Sequence, residues 1–156
     1  MTCYAPGELI WPHMEDGIST TKLDPDTGER FQLLRRELGV SSFGINLMTF
    51  GPGGRSRVHR HERQEEVYLV LEGTLTLALE DGAQELGQGE LVRVAPGVRR
   101  QLINRRRTRL VLLALGGHGE HEGRDGHAYA SWEDQEGGSP RDIPFPEDLP
   151  DSELRE

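Results

Sequence analysis

Short apolar runs, separated by glycine-rich and polar turns, dominate the middle of the chain. The runs are rich in Val, Leu and Ile, and they are shorter than a typical globular helix. Repeated at intervals of about eight to twelve residues, such runs are typical of a β-sandwich or jelly roll. We therefore predict an all-β fold with strands at residues 42–50, 66–71, 74–79, 83–86, 91–94, 100–104 and 109–115.

The N-terminal region carries weaker signals. Leu9–Trp11 is predicted to form an edge strand. The turn-forming residues Asp24–Gly28 predict a hairpin within Ile18–Arg36. A short helix within Glu29–Leu38 is an alternative, because Gly39 would end it.

The composition changes after Leu115. Residues 1–115 hold 15 acidic and 15 basic residues, whereas residues 116–156 hold 12 and 3, so the net charge of −9 lies entirely in the C-terminal segment. That segment is also rich in Gly and Pro, with widely spaced apolar residues such as Trp132 and Phe145. We predict a β-barrel with N-terminal strands over residues 1–115. A mostly irregular acidic tail over 116–156 is expected to pack on the barrel or on a partner subunit.

Charge and composition argue against several classes of protein. A neutral body with an acidic tail lacks the basic field that recruits nucleic acid. The longest purely aliphatic run, Leu110–Leu115, is far too short to span a bilayer. No secretory signal is visible, and Cys3 is the only cysteine, which fits a reducing compartment. We expect a cytoplasmic protein with no nucleic-acid or membrane partner.

A polar stretch between two apolar runs carries the candidate chemistry. His59 and His61 lie two apart in an extended segment, so both imidazoles project to the same side. Glu66 starts the next apolar run and shares a face with Tyr68. Two imidazoles and one carboxylate suit a divalent metal ion such as Fe, Mn, Ni or Zn. From spacing alone, a solvated strand face without a metal is the alternative.

Five positions of this stretch resemble the first motif of the cupin superfamily. Gly53, His59, His61, Glu66 and Gly73 are separated by five, one, four and six residues, which matches the spacing in that family. The resemblance implies a single-domain cupin of the conserved-barrel (type 2) kind, with a jelly-roll β-barrel. It also implies that the two histidines and the glutamate hold a metal ion at the mouth of the barrel.

Residues 89–104 resemble the second cupin motif, with one important substitution. Gly89, Gly97 and Asn104 follow the pattern, and Pro96 is shifted by one position. Arg100 stands where the family has a histidine that serves as the fourth metal ligand. An arginine keeps its proton and offers no free lone pair, so it cannot ligate a metal. The expected metal set therefore has three protein ligands.

Three functions are consistent with these residues. The first is a metal-dependent enzyme of the dioxygenase or isomerase type, acting on a small carboxylate or sugar-like substrate whose anionic group binds Arg100. The second is a metal-free binding module in which Arg100 pairs with Glu66. The third is a structural or regulatory cupin. The ligand is expected to be small and anionic, and we assign Arg100, Arg57 and Tyr68 to its binding.

Two further expectations concern surfaces. Residues 42–50 and 67–71 carry apolar side chains on both faces, and only one face can line a barrel. A homodimer is predicted to cover the other face. His118, His121 and His127 form either a second metal cluster or, as is usual for Gly-rich segments, an ordinary loop.

Overall fold

The computed structural model describes residues 17–117 and 125–156. Strands dominate this part of the chain, together with one short α-helix and one 3-10 turn at Asp151–Glu153. In chain order the elements are β1 (Phe31–Gln32), α1 (Leu34–Leu38), β2 (Gly44–Phe50), β3 (Val58–His61), β4 (Glu65–Glu72), β5 (Leu75–Leu79), β6 (Gly82–Leu86), β7 (Leu91–Val94), β8 (Gln101–Ile103), β9 (Leu110–Gly117) and β10 (Gly126–Tyr129). The all-β prediction is confirmed, and the strands predicted between 42 and 115 differ from the observed bounds by no more than two residues.

The strands form two antiparallel layers. The first layer has the order β1-β2-β9-β4-β7. In the second, β3 pairs with β10, and β5 lies between β6 and β8. Reciprocal backbone hydrogen bonds of 2.9 Å between His59 and Arg100 connect β3 to the start of β8. The strand order of the second layer is therefore β10-β3-β8-β5-β6, and the two layers form a jelly roll.

The main core lies between the two layers. In β4, Tyr68 and Val70 point inward, and in β9 Leu110 and Leu112 do the same, because alternate residues of a strand share a face. From the second layer, Leu75, Leu77 and Leu102 meet them. All of these side chains are almost fully buried.

Helix α1 packs on the outer face of the first layer. Leu34, which is 1% exposed, contacts a small second core that includes Leu47 and Val111. The helix ends at Gly39 in the left-handed conformation. The predicted hairpin within Ile18–Arg36 is not present, because residues 19–24 form no strand and β1 pairs with β2 instead. Within the two described ranges, no helix is both long and apolar enough to cross a membrane.

The C-terminal segment takes part in the barrel, which moves the boundary predicted at residue 115. Strand β9 continues to Gly117, and β10 pairs with β3 along its whole length. The rest of the segment is mostly irregular and lies on the barrel. Leu149 donates a backbone hydrogen bond of 2.8 Å to Gly53, where a positive φ of 75° brings the two chains close together. The strand predicted at Leu9–Trp11 lies outside the described residues.

Candidate metal and ligand site

Strands β3 and β4 bring His59, His61 and Glu66 together at one end of the barrel. The Nε2 atom of His61 lies 3.3 Å from Oε2 of Glu66, and Nε2 of His59 lies 3.8 Å from the same oxygen. The two imidazole rings are 5.8 Å apart and nearly perpendicular. Within residues 17–117 and 125–156, this is the only group of three or more potential ligand side chains whose donor atoms all lie within 4.8 Å of one another.

Arg100 lies behind Glu66 and is completely buried. Its Nη2 donates a hydrogen bond to Oε2 of Glu66, its Nε donates to the Tyr68 hydroxyl at 3.3 Å, and its Nη1 donates to the carbonyl of Val98 at 3.1 Å. The Tyr68 hydroxyl donates to the same Glu66 oxygen. Neither Arg100 nor Tyr68 is among the described residues that line the cavity at this end of the barrel, and their contact with a ligand stays a prediction.

The Arg100–Glu66 pair remains ionised inside the barrel. Burial acts to raise the pKa of Glu66, but the hydrogen bond with His61 and the charge of Arg100 hold that pKa well below its ordinary value. Burial acts to lower the pKa of Arg100, yet Tyr68 and Glu66 together raise it. Burial and the charge of Glu66 also raise the pKa of Tyr68, which keeps the phenol neutral. The positive and negative charges therefore cancel.

The tautomer of His59 favours a cation beside Glu66. Its Nδ1 lies 3.0 Å from the carbonyl of Arg57, which can only accept, so Nδ1 carries a proton. Burial lowers the pKa of His59 and favours the neutral ring. The Nε2 lone pair then faces a carboxylate oxygen, an arrangement that a cation between them would stabilise. Two imidazole nitrogens and one carboxylate oxygen fit a divalent metal ion in kind and in spacing.

Arg57, which the sequence assigned to ligand binding, faces the C-terminal segment instead. Its guanidinium carbon lies 3.7 Å from the centre of the Phe145 ring, and Nε donates to the carbonyl of Ile143. Only the backbone carbonyl of Arg57 touches the site, through His59. The side chain therefore contacts the C-terminal segment, and its role in ligand binding stays a prediction.

A cavity of about 550 Å³ opens at this end of the barrel. His61 and Glu66 form part of its floor, and Asn46 of β2 lies beside them. Its rim includes Arg35, Arg36 and Arg141, which sequence reasoning missed. These arginines come from separate parts of the chain and belong to no motif, so no local pattern could have found them.

The second histidine cluster is only partly within the described residues. His118 and His121 lie outside them. His127 lies on β10, where its Nε2 is 2.8 Å from the carbonyl of Glu136 and its ring packs against Tyr129.

The family model for the cupin domain matches residues 46–116, which include the whole of both motifs. The two-layer fold agrees with that match. This chain carries a cupin domain. Among curated proteins, no sequence matches it.

Solved structures give the same result for the fold. A cupin protein from Bacteroides fragilis is 19% identical, with a TM-score of 0.60 over 70% of this chain and 92% of that chain. A sugar phosphate isomerase of the cupin superfamily from Silicibacter pomeroyi is 25% identical, with a TM-score of 0.58 over 80% and 82%. A protein from Acidithiobacillus ferrooxidans, provisionally assigned as a sugar phosphate isomerase, is 27% identical, with a TM-score of 0.54. The match covers 61% of this chain and only 60% of that protein.

Proposed function

We propose that this cupin domain binds a small anionic molecule in this cavity at the mouth of the barrel (the mouth cavity). The floor that faces the molecule is formed by His61 and Glu66, with His59 beside them. The buried pairing of Arg100 with Glu66 is the observation that carries the proposal. A free carboxylate on the floor would repel an anion, but the guanidinium behind it cancels its charge. The floor is therefore neutral and polar, and it offers hydrogen bonds without electrostatic repulsion.

His61 is the floor residue best placed to contact a ligand. It lines the cavity, and its Nδ1 is buried without a hydrogen-bond partner among the described residues. A buried polar atom without a partner costs free energy unless something else satisfies it. A ligand oxygen or a water molecule in the cavity can supply the missing partner.

The same floor fits a divalent metal ion held by His59, His61 and Glu66. When bound, such an ion polarises a ligand oxygen as a Lewis acid. Arg100 opposes its binding, because a guanidinium a few Å from a dication is repelled by several kcal/mol at an effective dielectric constant of about 20. An anionic ligand relieves that repulsion. Metal and anion are therefore expected to bind more tightly together than separately.

Isomerisation of a sugar phosphate is a second candidate. The two solved structures at 25% and 27% identity carry that name. This reaction class moves a proton between neighbouring carbons, which requires a general base near the sugar. His61 and Glu66, the floor residues that line the cavity, are the groups available for that role.

Ligand-induced stabilisation tests the main proposal. Wild-type protein, His61→Ala and His127→Ala are screened by thermal shift against small sugars, hydroxy acids and their phosphate esters, with and without Mn²⁺. Because a ligand that binds the native state raises the melting temperature, at least one anion should stabilise wild type and His127→Ala but not His61→Ala. The His127 variant is the matched control, since that side chain lies outside the site. If no compound in the screen shifts the wild-type transition, the proposal is wrong.

A further inference from the structure

Three arginines that line the mouth cavity have no side-chain partner among the described residues. Arg35 and Arg36 belong to α1, and Arg141 belongs to the C-terminal segment. None of the three forms an ion pair or a side-chain hydrogen bond with another described residue. In the same part of the chain, every other arginine has a carboxylate partner or donates to a backbone carbonyl, as Arg30 and Arg55 do.

The backbone holds these arginines at the rim. Leu34 anchors α1 against the outer face of the first sheet. On the other side, paired backbone hydrogen bonds of 2.9 and 2.8 Å join Ala128 of β10 to Gly138. Pro140 packs on Gly126, where an added Cβ would lie 3.2 Å from the proline ring. The position of Arg141 is thus fixed relative to β10, whose partner strand β3 carries His61.

Among the described residues that line this cavity, neither acidic side chain is free to balance the arginines. Glu66 is paired with Arg100. Asp125 has a side chain that is only 3% exposed, and it accepts the backbone N–H groups of Arg63 and Gln64 at 2.8 and 2.7 Å. The rim therefore carries three positive charges above a neutral floor.

We propose that Arg35, Arg36 and Arg141 form a phosphate-binding subsite. A phosphate monoester near neutral pH carries a charge of about −1.5 to −2 and three acceptor oxygens, which suits several planar guanidinium donors better than a single carboxylate does. The ligand then has a phosphate group at the rim and a polar end that reaches His61 and Glu66. This second half rests on the proposed function, whereas the rim subsite stands on the arginines themselves.

Isothermal titration with inorganic phosphate, ribose 5-phosphate, ribose and acetate tests the subsite. The variants are Arg35→Gln, Arg36→Gln, Arg141→Gln and their triple combination. Arg155→Gln is the matched control, because Arg155 is an exposed arginine paired with Glu85 away from the cavity. Each rim substitution should weaken binding of phosphate and ribose 5-phosphate by about tenfold, the usual loss for one charged hydrogen bond. Ribose should be unaffected, and the control should bind as wild type does.

Three results overturn the phosphate subsite. These are wild-type protein that does not bind phosphate or ribose 5-phosphate, rim variants that match the Arg155 control, or acetate that binds as tightly as phosphate. Binding of ribose 5-phosphate to His61→Ala distinguishes a failure of the phosphate subsite from a failure of the proposed function. If His61→Ala weakens ribose 5-phosphate binding and the rim variants do not, the proposed function stands and the subsite is wrong. If only the rim variants weaken ribose 5-phosphate binding, the phosphate subsite stands and the proposed contact of the ligand with His61 is wrong.

Discussion

Arg100 and Glu66 form an ion pair in the barrel interior, with Nη2 of the guanidinium bonded to Oε2 of the carboxylate. The arginine side chain is 0% exposed and the glutamate side chain 17%. From the resemblance to the second cupin motif, Arg100 is expected to stand where that family has a histidine. The pair would then replace a neutral ligand by a fixed charge, and we expect the stability of the barrel to depend on Glu66.

Glu66→Gln should destabilise the protein by about 3–5 kcal/mol, because it leaves a buried guanidinium without its counter-charge. Urea unfolding measures the loss. The neighbouring Glu65→Gln is the control: Glu65 is 50% exposed and pairs with Arg93 at the surface, where an ion pair contributes less than about 1 kcal/mol. Equal effects of the two substitutions would show that Arg100 does not depend on Glu66.

Arg100→His should raise the affinity for Mn²⁺, Ni²⁺ or Zn²⁺ by well over tenfold. The substitution adds an imidazole ligand and removes a positive charge that faces the metal. Isothermal titration of both proteins measures the change. Arg99→His is the control, because Arg99 points away from the site and packs on Tyr129 and Trp132. No gain in Arg100→His would mean that the three ligands do not form a metal site.

Gly53→Ala should loosen the C-terminal segment. Gly53 has a φ of +75°, and an added Cβ would lie 2.7 Å from the carbonyl oxygen of Leu149. The strained backbone alone costs about 1–3 kcal/mol, so the melting temperature should fall and limited proteolysis should cut near Leu149. Gly51→Ala is the control, because a Cβ there meets nothing within 4 Å. If the two variants have the same melting temperature, the C-terminal segment does not stabilise the barrel.

The turn after β10 should loosen in acid. The backbone N–H groups of Ala130, Gly137 and Glu136 donate to the Asp134 carboxylate, and they lower its pKa below the ordinary 3.8. A folded-state pKa below the unfolded one contributes stability above pH 3.8 that is lost as the pH falls through the folded value. An NMR titration of the Gly137 amide should show the transition below pH 3.8, and Asp134→Asn should abolish it. A transition at or above the ordinary value would contradict this assignment.

The protein should be a homodimer through the outer face of the first sheet. Helix α1 covers part of that face, but Leu91 remains 62% exposed and Phe43 39%. A cavity of about 690 Å³ lined by Phe43, Val67 and Leu115 lies on the same side. Light scattering should give about 35 kDa, twice the chain mass of 17.5 kDa. Leu91→Asp should shift the mass toward the monomer, whereas Leu23→Asp, another exposed leucine, should not. A wild-type mass near 17.5 kDa would refute the dimer.

The sequence predicted the fold and the position of His59, His61 and Glu66, because both follow from local patterns. Alternation along each strand determines which side chains share a face, and motif spacing places the ligands on adjacent strands. The sequence also predicted that Arg100 replaces the fourth ligand and allowed for its pairing with Glu66. Those features need only the register of neighbouring strands.

The rim of the cavity could not be predicted in this way. The three rim arginines line one cavity only because α1 and the C-terminal segment both pack at the barrel mouth: Arg35, Arg36 and Arg141. Such packing leaves no periodic pattern in the sequence. The contact of Arg57 with Phe145 could not be predicted either, because the two residues lie far apart in the sequence. The assignment of Arg57 to ligand binding stays a prediction.

The pairing of β10 with β3 has a consequence for how the barrel assembles. Gly126 pairs with His61, so the contact closes a loop that starts in the first histidine motif and ends in the last quarter of the chain. Contacts between residues so far apart in sequence form late, since the entropy of closing the loop must first be overcome. The hairpins of the barrel need no such closure. The β2–β9 pairing, in which Gly44 pairs with Gly116, spans a similar length of chain. We therefore expect the strand that carries the histidines, and the binding cavity beside it, to take shape among the late steps of folding.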